Sequence, residues 1–448
     1  MSGKLEIKCP QNDLFCAATE VVEVIRNAGF EIYFVGGAPR DLVLGRMPDD
    51  IDMVTTATPG EIKSIFPDAE MVGACFGVVP VKFKGLTFEL ATCREERLYS
   101  DGRRPEEVKF TGDFRRDLER RDFTVNAMLY DPVKGVLFDY VGGLLDLHDR
   151  VIRVVGNPAE RFSEDYLRML RAIRFASKLG FQIHNEAWQA ICSMADKTAL
   201  IAAERVRGEL DCMLCGSDPA EAFRLLKASG ILKLWLPEVD ALAGVEQHPL
   251  YHPEGDVWQH TLLMLEKAEK PCSVEFAWSI LLHDIGKKAT FARDEANIPH
   301  FYGHEAYGAG MIAVIAERLR FSHELADIVE HAVRWHMRFA SVMEMREAKL
   351  KRLMAEKYFA MELELHRLDC QCSNGLSATY EFLQKEMQKC CSRNLPEMLI
   401  NGNDLIKLGF KPGREFKKIL DTVMDEQLEQ RLKSKADALE FVKKNFSA

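Results

Sequence analysis

FVGGAPRDLVLGRMPDDIDMVTT, residues 34–56, is the stretch on which the reading of this chain turns. An apolar, strand-like run ends in Gly36 and Gly37, and Pro39 predicts the start of a helix. Free backbone amides at that start would face a phosphate, and Arg40 would add a charge-assisted contact. A Gly-Gly pair alone also serves any tight strand-to-helix turn. The next segment carries Asp50 and Asp52, next-but-one neighbours. In a strand this spacing puts both carboxylates on one face while Ile51 points into the core. Two such carboxylates suit a pair of magnesium ions facing a polyphosphate. An isolated Asp-x-Asp after Pro48 reads more readily as a solvated acidic turn. The glycine pair and Arg40-Asp41 at this distance upstream turn the reading toward metal.

Outward from this stretch, short β-rich runs alternate with turns from residue 31 to 139: EIYFVGG, DIDMVTT, FGVVPVKFKGLTFELATC and GVLFDYVGG. They predict a small mixed sheet with helices packed on it. From NPAERFSEDYLRMLRAIRFASKLGF (157–181) onward the periodicity is helical and stays so. The fold class is therefore α+β, a mixed-sheet head followed by an extended all-helical remainder. Expected boundaries are 1–150 for the head, 151–245 for a helical neck, 246–340 for a histidine-bearing body and 341–448 for a helical tail.

The chain has 448 residues, 47% of them apolar and 29% charged, enough for several packed cores. No apolar run approaches membrane-spanning length, and residues 1–10 lack a signal-peptide pattern, so a cytoplasmic protein with no membrane partner is expected. Twelve cysteines then read as reduced thiols, and neither Cys370 with Cys372 nor Cys390 with Cys391 makes a zinc pattern. A formal charge of -10 argues against indiscriminate nucleic-acid binding but leaves room for a local basic surface.

Taken together, Gly36-Gly37-x-x-Arg40-Asp41 and Asp50-x-Asp52 resemble the first motif of the class II tRNA nucleotidyltransferase and bacterial poly(A) polymerase family. RRDFTVNAMLYD (120–131) is similar to that family's sugar-contacting motif, with Arg121, Asp122 and Asn126 at the matching positions. DYVGG (139–143) resembles its hinge. EDYLRMLRAIRF (164–175) resembles the base-reading helix, with Glu164, Arg168 and Arg171 on one side and Asp165 beside them. By that resemblance Asp165 and Arg168 read the base edge, a carboxylate accepting from an exocyclic amine and a guanidinium donating to ring acceptors. Read without it, the segment is an exposed helix laced with Glu-Arg pairs. AAERVRGEL (202–210), with Glu204, Arg205 and Arg207, resembles a motif that braces the neck. Glu89 is either a third acid near the metals or an ordinary strand glutamate. Residues 94–110 resemble the family's flexible loop at full length, with Arg94, Arg103 and Arg104 toward phosphates, and that length favours complete CCA or terminal A addition over CC addition.

A second cluster follows. HPEGDVWQHTLL (252–263), LLHDIGKKATF (281–291) and FYGHEAYGA (301–309) place His260, His283, Asp284 and His304 at spacings that resemble an HD domain. Such ligands converge on a divalent metal and activate water for phosphoester hydrolysis. His331 and His336 are further candidates, His336 preferred, while His248, His252 and His300 read as ordinary surface or core histidines. In the tail, Lys407, Lys411, Arg414, Lys417 and Lys418 form either an RNA-backbone contact or a solvated face.

The resemblance implies template-independent addition of CMP, CMP and AMP to the 3′ end of tRNA from CTP and ATP, with two Mg2+ ions at Asp50 and Asp52 and a separate divalent metal at the HD site. An A-specific enzyme, either a poly(A) polymerase or a tRNA A-adding enzyme, is the alternative. A reading from another class makes the HD site the main catalyst, a phosphohydrolase, with the head as an RNA-binding module.

Overall fold

A computed structural model describes residues 3–71, 77–99, 105–373, 375, 378–389 and 395–446 of the chain. Arg103, Arg104, Cys390 and Cys391 lie outside the described residues. The chain forms two compact units, Met1–Pro237 and Glu238–Ala448.

In the first unit, strands β1 (Gly3–Glu6), β2 (Ile32–Val35), β3 (Asp52–Thr55), β4 (Val78–Phe83) and β5 (Leu86–Thr92) join β8 (Met128–Asp131) and β9 (Val136–Asp139). Among the described residues they form one sheet in the order β1-β9-β8-β2-β3-β5-β4. β3 runs antiparallel to β2 and parallel to β5, a mixed sheet as the sequence pattern predicts. β2 reads IYFV, and β3 buries Met53 and Val54, because the strands are covered on both faces. The helix Asp13–Asn27, capped by the Asn12 side chain, buries Phe15, Val21, Val22 and Ile25, and Phe15 meets Phe34 of β2 edge to face at 6.1 Å. The sequence pattern missed β1 and β8, the latter inside RRDFTVNAMLYD.

Residues 94–110, expected as a loop, instead pair as antiparallel strands β6 (Arg94–Tyr99) and β7 (Pro105–Phe110) in register Arg94 to Phe110. DYVGG is a bonded turn: the Asp139 carboxylate accepts from the amides of Val141, Gly142, Gly143 and Leu144 at 2.9–3.0 Å.

Asp117 ties the ribbon to the motif beyond it. It is fully buried, and its carboxylate accepts from Arg120, Arg121 and the Arg94 amide. Burial opposes its charge, but Arg121 and Arg120 outweigh burial and hold its pKa below the usual carboxylate value. Asp117→Ala is expected to lower unfolding free energy by about 1–3 kcal/mol, since both arginines reach water and recover part of the loss. A denaturant titration checks this, and Asp117→Asn should recover part of the difference.

After β9 the first unit is helical. Helix Leu167–Leu179 packs on Ala203–Leu214 and Pro219–Ala228 through Leu170, Ile173, Val206, Leu210 and Phe223. The second unit is built on helices Val257–Lys267, Val274–Leu282, His304–Leu319, His323–Trp335 and Phe359–Cys372. Its last part has its own small core of Ile400, Leu405, Phe410, Ile419, Val423 and Val442. Among the described residues no helix is long and apolar enough to cross a membrane.

Candidate functional site

The sheet places the acids. β3 starts at Asp52, so Asp50 stands just before the strand rather than within it, but the expected alternation holds: Ile51 is buried between an exposed Asp50 and a half-buried Asp52. In register, Asp52 lies opposite Val35 on one side and Glu89 on the other. Three carboxylates therefore share one edge of the sheet. Burial raises the Asp52 pKa to about 6, and the charges of Asp50 and Glu89 add to it while Arg121 opposes them. Such crowding of acids is relieved by a cation, and the all-oxygen donor set suits a hard divalent ion.

Directly after β2, Gly36 adopts φ 75° and ψ -126°, and the helix Gly37–Val43 begins two residues before Pro39. A Cβ on Gly36 would sit 3.2 Å from Asp52 Oδ2. Both the backbone conformation and this approach require glycine. Gly36→Ala is expected to slow nucleotide incorporation about 5–150-fold, the rate equivalent of about 1–3 kcal/mol of strain set against Asp52. Single-turnover assays at saturating metal measure it.

The structure corrects the expectation for Arg40. This side chain is buried, donating Nη1 to Asn126 Oδ1 at 2.7 Å and gripping the Asp41 carboxylate through Nε and Nη2 at 2.9 and 2.8 Å. Its charge is neutralised inside the head, so it joins the Gly-Gly helix to Asn126 and is not presented to a phosphate. Asn126 is likewise buried, its Oδ1 engaged by Arg40. Arg121 rests on Asp117 at 3.1 Å. Asp122 Oδ2 accepts from Arg171 Nε at 2.8 Å, and Arg171 also approaches Glu209 at 3.7 Å. Arg171 is the main influence that outweighs burial and keeps the Asp122 pKa low.

EDYLRMLRAIRF is not one continuous helix. Glu164 ends the helix Pro158–Glu164, Asp165 is extended at φ -152° and ψ 104°, and helix resumes at Leu167. The break sets Asp165 at a joint where Arg205 grips both its oxygens, at 3.1 and 2.7 Å. Glu164 takes Arg161 at 2.8 Å and Arg168, whose Nη2 also donates to the Arg120 carbonyl at 3.2 Å. Arg168, held by Glu164, and Arg171 thus meet the 120–122 motif, while Asp165 pairs with Arg205. Arg207 leans on Asp211 at 3.6 Å, and Glu204 is exposed. Glu209, which holds Arg174 at 2.6 Å, went unread in the sequence because a lone helical glutamate carries no signal.

In the second unit, His260, His283, Asp284, His304 and His336 come together, all buried. His283 caps the helix Val274–Leu282, His304 opens His304–Leu319, and His336 follows His323–Trp335. Gly286 permits the approach, since a Cβ there would lie 2.1 Å from the His304 carbonyl oxygen. Two partners were missed in the sequence: Asp369, whose Oδ1 lies 3.1 Å from His260 Nε2, and Glu254, whose Oε1 lies 2.6 Å from His260 Nδ1. Burial disfavours the charged His260 ring, but Asp369 and Glu254 outweigh it and lift its pKa to about 9. Burial and the neighbouring His283 lower His336 to about 3. His331 is elsewhere, 2.9 Å from Glu362. His252 contacts Glu254, while His248 stacks on Tyr251 and His300 on Tyr302. The tail residues Lys407, Lys411, Arg414, Lys417 and Lys418 are all exposed. The described cysteines are free thiols, and Cys370 lies 3.7 Å from His366 Nε2.

Known proteins are similar to this chain over nearly its whole length. Residues 32–153 match the poly A polymerase head domain, 180–242 the "Probable RNA and SrmB- binding site of polymerase A", 257–366 the HD domain and 312–442 the tRNA nucleotidyltransferase domain 2. A CCA-adding enzyme of Lactococcus lactis subsp. lactis is 33% identical over 446 residues, covering 97% of this chain and 98% of that protein. One from Bacillus licheniformis is 40% identical over 259 residues, 56% of this chain and 65% of that one. The Bacillus stearothermophilus CCA-adding enzyme in complex with CTP superposes with TM-score 0.72 at 26% identity, covering 97% of this chain and 99% of that one. The Thermotoga maritima enzyme complexed with tRNA shares the fold at TM-score 0.60 and 21% identity, over 99% of both chains.

Proposed function

The chain belongs to the CCA-adding enzyme family, and from that premise we propose that it adds CMP, CMP and AMP to the 3′ end of tRNA from CTP and ATP, in the cytoplasm, releasing pyrophosphate. The observation that carries the proposal is the convergence of Asp50, Asp52 and Glu89 at the sheet edge beside Gly36.

Asp50 and Asp52 hold the metal, with Glu89 close enough to join. Asp50 and Asp52 would hold two Mg2+ ions, which would supply charge to acidify the primer 3′ hydroxyl and to offset the α-phosphate and leaving pyrophosphate. The chain's own groups do the rest. Amides at the start of helix Gly37–Val43 face the triphosphate, with Arg40 and Asn126 fixing that helix against the 120–131 segment. Arg121 and Asp122 flank the sugar. Asp165 and Arg168 present an acceptor and a donor array to the base edge, Arg205 and Glu164 orienting them, and Arg171 steadies Asp122. Arg94, at the base of the β6–β7 ribbon, faces the phosphates. In domain terms the head is 1–150, the base-reading neck 151–245, the HD body 246–340 with Asp369 added from the following helix, and the tail 341–448. The exposed lysines and arginine of the tail suit the tRNA backbone.

Sequencing the products from tRNA lacking CCA, supplied with CTP alone, ATP alone and both, tests the proposal. The expected products end in CC with CTP alone and in CCA with both. Adenosine addition only to a CC end would assign an A-adding enzyme, and failure on every RNA would refute nucleotidyl transfer.

The buried histidines and aspartates support a second activity, metal-dependent hydrolysis of a phosphoester at His260, His283, Asp284, His304, His336 and Asp369. Phosphate release from nucleoside phosphates by Asp50→Ala/Asp52→Ala protein, lost on His283→Ala, is the expected result. Retention of tRNA extension in His283→Ala would argue against the HD site as the main catalyst.

A further inference from the structure

We infer that the second unit carries a zinc site of its own at His331, Glu356 and Glu362, separate from the HD centre and from the polymerising acids. Two of its ligands share helices with that centre but stand at another level. Glu362 precedes Asp369 by two turns of the helix Phe359–Cys372, about 10 Å along its axis.

The fold brings the three groups together from separate segments. His331 lies on His323–Trp335, Glu362 on Phe359–Cys372, and Glu356 in the turn that leads into the second of these helices. Each offers one ligand atom, and these atoms lie within 4.8 Å of one another. Arg338 holds both carboxylates from one side: Nη1 donates to Glu356 Oε2 at 2.5 Å and Nη2 to Glu362 Oε2. Both bonds use Oε2, so each carboxylate keeps Oε1 for another partner. The Tyr358 ring lies 4.9 Å from the His331 imidazole and limits its rotation. Neighbours that orient ligands without touching the ion are a regular part of metal sites.

Charge and hydrogen bonding both leave a place for the ion. The Glu362 side chain is fully buried, and a carboxylate taken out of water is costly unless its charge is met. Arg338 brings one positive charge to two carboxylates, which leaves the group acidic. His331 Nε2 lies 2.9 Å from Glu362 Oε1, yet neither atom has a partner at hydrogen-bonding angles. Two atoms so close and so misaligned are satisfied together by a cation that both face. Ligands of one tetrahedral zinc ion, at bonds of about 2.0–2.2 Å, stand about 3.4 Å apart, a small adjustment from the separation here. An imidazole among carboxylates suits zinc, whereas Mg2+ prefers oxygen donors alone. His331, Glu356 and Arg338 line a cavity of 700 Å³, so a fourth coordination position opens to water on that side.

Full-length Asp50→Ala/Asp52→Ala protein, which lacks the polymerising acids, is equilibrated with Zn2+, and its bound ions are counted against those of His331→Gln and Glu356→Gln in the same background. Each variant is expected to hold one ion fewer per chain. Anomalous diffraction at the zinc edge should place a peak between His331 Nε2 and Glu362 Oε1 in the parent and in His283→Ala, and none there in His331→Gln. Equal zinc content in the parent and His331→Gln would overturn the site, as would zinc found at the HD centre alone. His331 and Glu356 are both partly exposed, so neither replacement empties a core. Should one of them fail to fold, the parent's anomalous map decides alone.

Discussion

Replacing Asp50 and Asp52 together by alanine is expected to reduce CMP and AMP incorporation by on the order of 10³-fold or more, equivalent to about 4 kcal/mol of transition-state stabilisation. The loss should fall on the rate of single-turnover extension and should not be rescued by raising nucleotide concentration. The reason is geometric. Asp52 begins β3 between Val35 of β2 and Glu89 of β5, and its Oδ2 lies against the Gly36 turn. Asp52→Asn alone should be nearly as severe, because an amide keeps the volume and loses the charge. The pH dependence follows in sign. Burial with Asp50 and Glu89 raises Asp52 to about 6, so a proton competes with metal below that value. The Mg2+ concentration for half-maximal rate should therefore rise as pH falls through about 6 and change little above 7. A double variant that extends tRNA at the parental rate would refute the site.

Asp165→Ala is expected to cost roughly 10–100-fold in kcat/KM for CTP and ATP while changing the slow misincorporation of GTP and UTP much less. That range corresponds to about 1–3 kcal/mol for a lost paired contact to a base edge. Asp165 is also the residue that pairs with Arg205, so loss of the carboxylate alone does not separate base reading from bracing. Arg205→Ala separates them: it leaves the acceptor in place and frees it to move. A base-reading Asp165 predicts a raised KM with retained C and A preference in Arg205→Ala, and a collapsed preference in Asp165→Ala. Equal preference profiles in the two variants would reduce Asp165 to a structural partner of the neck.

The polymerising site was legible because its signals are local. Gly36-Gly37, Asp50-x-Asp52 and the strand pattern around them sit within one short strand-helix-strand stretch, and the alternation that buries Ile51 follows from strand geometry alone. Legibility failed where a side chain's partner is remote. Arg40 was read as a phosphate contact because its charge is visible, while its internal use depends on Asn126, brought near by the pairing of β2 with β8. The helix break at Asp165 leaves no sequence mark because EDYLR carries no Gly or Pro, and only the pairing with Arg205 of another helix marks the joint.

Composition, periodicity and motif spacing alone were enough to specify an α+β chain with a mixed-sheet head, the spacing of Asp50 and Asp52 on either side of the buried Ile51, and a group of histidines downstream. All of these rest on residues whose relation is set by strand and helix repeat. Packing alone decided that Asp369 and Glu254 join His260, that Asp284 meets His304 and His336, and that Arg40 turns inward. Those relations join segments distant along the chain, and the burial of apolar faces that brings them together leaves no periodic mark at the polar residues it carries along.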